Sequence, residues 1–269
     1  MITNGQGGCL ENQACVKTTR ECIVAILFIS FIFLMGEISL WSENNKLQKT
    51  LYDITQTYED YTSFDRALQR FLTLEEVQAT KQYVEVAGVS TYSGWESYER
   101  LYEWVVSNIK YAYDPEIPVP VCEKSSECYF VYRQNYVQPP SFTLRRGQGD
   151  CEDMALLLYA MMKYYDIYYL GKEYRIWLAD IDFKNFKSGH VAVIVPMKGG
   201  YVGILDPAGK FVDVGPVKYV LEKYDDWWSD EGGIKTITLY RVEVLRGEYY
   251  EDASGSFGDI VAYIIKSVT

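Results

Sequence analysis

Three residues carry the chemistry this sequence offers: Cys151, His190 and Asp206. Cys151 opens the stretch QGDCEDMALLLYAMMKYY at 148–165. Asp150 is a good N-cap there, and Asp153 adds acid in the first turn. From Ala155 to Met162 the stretch is apolar on all sides, which predicts a central, buried helix. A cysteine at its first position faces unpaired backbone N–H groups, which favour a thiolate and later an oxyanion. The carboxylates of Asp150, Glu152 and Asp153 act against ionisation, so a base is needed. The sole histidine of the chain, His190, is the available one. Thiol, imidazole and an orienting carboxylate are the parts of nucleophilic catalysis.

The elements that must position them follow from residue type. Residues 174–181, 190–195, 201–205 and 236–245 are rich in β-branched and aromatic residues and read as strands. Met197–Gly200 makes a hairpin turn between the second and third. His190 opens one strand and Asp206 closes the next, so an antiparallel hairpin sets them side by side. Each residue also has a plain reading. A cysteine at a helix start is most often a core residue, and Asp before Pro a turn former. The conjunction favours chemistry. Further upstream, 74–87 reads as an amphipathic helix stopping at Gly88, and 95–110 as another. Pro-containing loops are expected from Asp114 to Pro140.

The blocks GDCED (149–153), GHVAVIV (189–195) and LDP (205–207) resemble, in that order, the transglutaminase-like superfamily of cysteine enzymes. WVVSNIKYAYD (104–114) resembles the helix and following segment that precede the cysteine in bacterial and archaeal members. The likeness covers roughly residues 95–210. It implies an α+β, papain/transglutaminase-like core with the Cys helix packed on an antiparallel β-sheet. It also implies nucleophile, base and orienting aspartate at Cys151, His190 and Asp206. Where many members have HAW, this chain has Val191-Ala192 after the histidine. The oxyanion-hole side chain is assigned to Tyr113 or Gln148. Members include transglutaminases, peptidases, amidases and inactive binding relatives, and fold alone does not choose among them. The expected activity is cleavage or transfer at an amide bond of a protein or peptide through a Cys thioester. The alternative is a catalytically inactive surface protein used for binding.

Residues 22–41 (CIVAILFISFIFLMGEISLW) read as a transmembrane signal anchor. Twenty helical residues reach about 30 Å, the thickness of a hydrocarbon core. Lys17 and Arg20 precede the segment, which orients the N-terminus to the cytoplasm and the rest outside. GEISLWSEN offers no good small-x-small cleavage site. The resulting division is a disordered cytoplasmic tail at 1–21, the anchor at 22–41, a helical stalk and helices at 42–94, and the catalytic domain at 95–269. In an oxidising compartment Cys122 and Cys128 read as a local disulfide, leaving Cys151 as the free exported thiol.

The net charge of −11 opposes nucleic-acid binding. It resides in the main domain, because residues 1–41 hold only Lys17, Arg20, Glu11, Glu21 and Glu37. No phosphate loop and no metal-ligand spacing is evident, so neither cofactor nor metal is expected.

Overall fold

The computed structural model describes residues 10–91, 93–123, 127–133, 136–185 and 189–269. The chain divides into two units, 1–56 and 57–269. The first is built on one helix, α1 (Leu10–Thr62), which runs unbroken through the apolar segment. Its described stretch from Ile26 is long and apolar enough to cross a membrane.

The second unit begins with α2 (Phe64–Phe71), α3 (Leu74–Ala79) and α4 (Lys81–Val86). The helix expected over 74–87 is broken at Thr80. This residue is fully buried, and its hydroxyl donates to the Val77 carbonyl at 2.7 Å. The chain then turns at Gly88, whose φ of 72° suits glycine. Ala67, Leu68, Val77 and Val84 join the main hydrophobic core. Residues 57–94 belong to the second unit.

α5 (Gly94–Asn108) leads to a short strand, β1 (Lys110–Tyr111). The Pro-rich segment beyond is a hairpin, not loops: β2 (Ile117–Glu123) pairs with β3 (Glu127–Arg133). Proline is tolerated because each strand of an isolated pair has a free edge. Cys122 and Cys128 are register partners in it, and their side chains lie outside the described residues. α6 (Pro140–Arg146) and β4 (Gln148–Gly149) follow, with β4 parallel to β1.

The centre is α7 (Cys151–Tyr168), in which every residue from Cys151 to Asp166 is buried. It packs against β6 of a six-stranded antiparallel sheet ordered β10-β9-β5-β6-β7-β8. The strands are β5 (Trp177–Phe183), β6 (His190–Met197), β7 (Tyr201–Asp206) and β8 (Phe211–Pro216). Helix α8 (Val217–Trp227) follows β8, and β9 (Ile234–Glu243) and β10 (Glu248–Ser256) complete the sheet. Helix α9 (Phe257–Val268) ends the chain's regular structure and packs with α8 on the second face.

The pleat separates two cores. Val191, Val193 and Val195 face the α7 side, while Ala192 and Ile194 face α8 and α9. A sheet buried on both faces explains why β6 reads as a continuous apolar run rather than an alternation. This is the α+β class expected, with the cysteine helix on an antiparallel sheet.

Candidate active site

Cys151 is the first residue of α7, and it is buried. The turn before it is locked by carboxylates. The Asp150 backbone N–H donates to Asp153 Oδ2 at 3.4 Å, and Asp153 Oδ1 accepts the Gln138 backbone N–H at 2.6 Å. Gly149 is needed here, since a Cβ would lie 2.5 Å from the Asp153 Cβ. The Cys151 thiol donates to Glu152 Oε2 at 3.0 Å. Burial pushes the thiol pKa well up, and the charges of Glu152 and Asp150 add to this. The Val191 backbone N–H, pointing at the sulfur, works in the opposite direction. Cys151 is thus brought against the residue that follows His190.

His190 and Asp206 meet as the hairpin predicts. The His190 Nε2 lies 2.8 Å from Asp206 Oδ2. Asp206 has no solvent exposure and three donors. The Tyr224 hydroxyl, from α8, donates to the same Oδ2 at 2.8 Å, and the Gly209 backbone N–H donates to Oδ1 at 2.7 Å. The carboxylate therefore stays hydrogen-bonded without water. The Trp228 ring packs 4.6 Å from the imidazole, with Phe183 behind it at 5.0 Å. An acceptor at Nε2 fixes the neutral tautomer with its proton there, which leaves Nδ1 as the basic nitrogen.

The two oxyanion candidates sit differently. Gln148 is half-buried on β4, opposite Lys110. Tyr113 is 85% exposed, its ring edge against Tyr111. Tyr111 is the tyrosine of this segment that senses the cysteine: after burial, the charge of Cys151 is the largest influence raising its pKa. Sequence reasoning missed Tyr111, Tyr224 and Trp228. The last two lie on and after a helix whose packing against β8 and β7 no local motif announces.

A family profile described as a transglutaminase-like domain matches residues 86–240, the range that holds Cys151, His190 and Asp206. The chain belongs to this family. It is also similar to a curated protein of Archaeoglobus fulgidus named UPF0252 protein, at 30% identity over 157 residues. That match covers 55% of this chain and 47% of the relative, so the chain spans about half the relative's length. Among solved structures it is similar to LapG of Legionella pneumophila. One structure is 14% identical with a TM-score of 0.40. An EGTA-treated form is 12% identical with a TM-score of 0.38. Each covers 81% of this chain and 97% of LapG.

Proposed function

We propose that this transglutaminase-like chain is a cysteine enzyme acting at amide bonds of proteins or peptides, held at a membrane by α1 with its compact unit outside. What supports the reading is the buried His190–Asp206 pair at 2.8 Å, together with the hydrogen bond from the backbone N–H of the next residue, Val191, to the Cys151 sulfur. His190 Nδ1 takes the Cys151 proton, and the sulfur attacks the amide carbonyl carbon. The Cys151 N–H at the helix start stabilises the oxyanion. Nδ1–H then protonates the departing amine as the C–N bond breaks, leaving a thioester. Water or an amine, deprotonated by His190, attacks the thioester and releases the thiol. Water is the favoured acceptor, because amine transfer requires a site closed to water.

The test is covalent labelling of the full chain with an electrophilic amide mimic. Label should map to Cys151 and vanish in His190→Ala. Labelling that is indifferent to His190 favours the second reading, a surface binding protein on an inactive fold. The observation on its side is that Cys151 donates its proton to Glu152, as an inert thiol would.

Two subsidiary proposals have their own measurements. Protease shaving of intact cells should release a fragment lacking residues 1–41, and protection of residues 42–269 would reverse the orientation. Alkylation without reduction, followed by peptide mapping, should modify Cys151 and leave Cys122 and Cys128 joined. Label on either of those two would remove the disulfide.

A further inference from the structure

The hairpin of β2 and β3 is separate from the six-stranded sheet, and its two outer edges differ chemically. Proline has no N–H to give, so within a strand its nitrogen faces an outer edge rather than the partner. β2 carries Pro118 and Pro120, which lie opposite Tyr132 and Phe130. Those two pairs are therefore the ones without mutual hydrogen bonds, and the ladder bonds run through Val119–Val131 and its alternates. In a pair without mutual bonds, both residues turn N–H and C=O away from the partner. The outer edge of β2 thus offers carbonyls and no donors at these positions. The outer edge of β3 offers both, at Phe130 and Tyr132. Among the described residues no second strand pairs with β3, and no loop backbone bonds to Phe130 or Tyr132.

The pleat gives this edge one open apolar face. Val119 is 5% exposed, so its side of the hairpin is packed, while Phe130 and Tyr132 on the other side are 65% and 64% exposed. Natural edge strands are blunted by proline, charge or cover. β2 is blunted by its prolines, whereas β3 is uncharged from Cys128 to Tyr132. Both feet of the hairpin stand at the cysteine. β2 starts at Ile117, just after Asp114, whose side chain is hydrogen-bonded to Asp150, the neighbour of Cys151. Beyond β3, the Gln138 N–H donates to Asp153 in the first turn of α7. The chain from Arg133 to Gln138 spans at most about 18 Å.

We propose that the outer edge of β3 binds the peptide substrate as an added, extended strand and leads it to Cys151. An edge of backbone donors and acceptors is matched by another extended backbone, whereas a helix or a folded surface keeps its own backbone groups paired. The occupant is therefore an unfolded segment of a protein or a free peptide. Its apolar side chains fall at alternate positions, beside Phe130 and Tyr132. Backbone pairing supplies affinity with little regard to sequence, and the two aromatic side chains supply the preference. The substrate role rests on the acyl-transfer reading; the peptide-binding edge does not.

The experiment uses the full Cys151→Ala chain in detergent micelles, immobilised, so that nothing bound is consumed. The probe is a synthetic pool of hexapeptides, apolar at odd positions and Ser or Thr at even ones. Retention above that on empty micelles is expected, and N-methylation of the pool's backbone amides should abolish it. Tyr132→Pro removes one outward N–H without touching the ladder, and should weaken retention about fivefold or more, the worth of a lost hydrogen bond. Unweakened retention in a folded proline variant overturns the proposal. So does an absence of retention at millimolar peptide, or equal retention of the N-methylated pool, and these two comparisons need no variant of the hairpin. Labelling of the unaltered chain by the electrophilic amide mimic reads the thiol separately. Label on Cys151 with no retained peptide removes the edge alone, and retained peptide with no label removes the chemistry and leaves the edge.

Discussion

The hydroxyl of Tyr224 and the imidazole of His190 meet on a single oxygen of Asp206, each at 2.8 Å. A side chain from α8 thus shares the acceptor that holds the imidazole. Asp206→Asn keeps the shape but removes the charge, and should lower turnover by about 10- to 10⁴-fold, as in other triads. Tyr224→Phe removes one of three donors and should cost far less. Its signature is a pH–rate profile displaced on the limb set by His190, because the Asp206 charge is then less neutralised and holds the imidazolium more firmly. That limb should move to higher pH. A lowered rate with an unmoved profile would make Tyr224 a packing residue only.

Gly203 in β7 lets the sheet approach the Trp95 ring closely. A Cβ there would fall 2.0 Å from Trp95 Cζ3. Gly203→Ala must push the indole or the strand aside, an overpacking that costs roughly 1–3 kcal/mol. Denaturant unfolding of the variant checks this, and an unchanged midpoint would show that the ring relocates freely.

What the sequence made legible follows from range. The cysteine helix was readable because Asp150, Cys151 and Asp153 act within one turn of each other. The His190–Asp206 pair was readable because one hairpin joins them, only 16 residues apart. Strands β8 and β10 were not foreseen. Phe211–Pro216 alternates weakly, with Asp213 and Gly215 among its six residues, and Glu248–Ser256 is mostly polar. Both take their place as edge strands from pairing with a neighbour rather than from their own pattern. The hairpin of β2 and β3 was hidden by its prolines. Tyr111 was overlooked for Tyr113, two residues on, because only the short parallel pairing of β1 with β4 sets Tyr111 opposite Gly149, next to the start of the cysteine helix.

The buried acids make stability depend on pH. Burial raises Asp153 to about 8, and Asp114, Asp166 and Asp180 each to about 6. In the unfolded chain an aspartate titrates near about 3.9. A raised folded value means that the native state holds more protons than the unfolded state between those limits. The stabilisation is complete below about pH 4 and is lost as pH rises through 6 and then 8. The urea midpoint, measured in chelator, should therefore fall from pH 5 to pH 8. A midpoint that rises over this interval would mean that the carboxylates are held charged by partners stronger than burial.

The last prediction concerns the thiol. Burial raises the Cys151 pKa most, and Glu152 is the next cause, through its charge and the hydrogen bond at 3.0 Å. Glu152→Gln removes that charge while keeping an acceptor, so the pKa should fall, and alkylation at pH 7 should speed up. His190→Ala removes the imidazolium that stabilises the thiolate during reaction, so its alkylation should slow and demand higher pH. The two substitutions therefore push the pH dependence in opposite directions. Measuring the alkylation rate of Cys151 from pH 5 to 10 in both variants separates them. A Glu152→Gln profile identical to that of the unaltered chain would mean that the Glu152 side chain does not govern ionisation of the sulfur. An unmoved His190→Ala profile would detach the imidazole from the cysteine, and with it the case for acyl transfer.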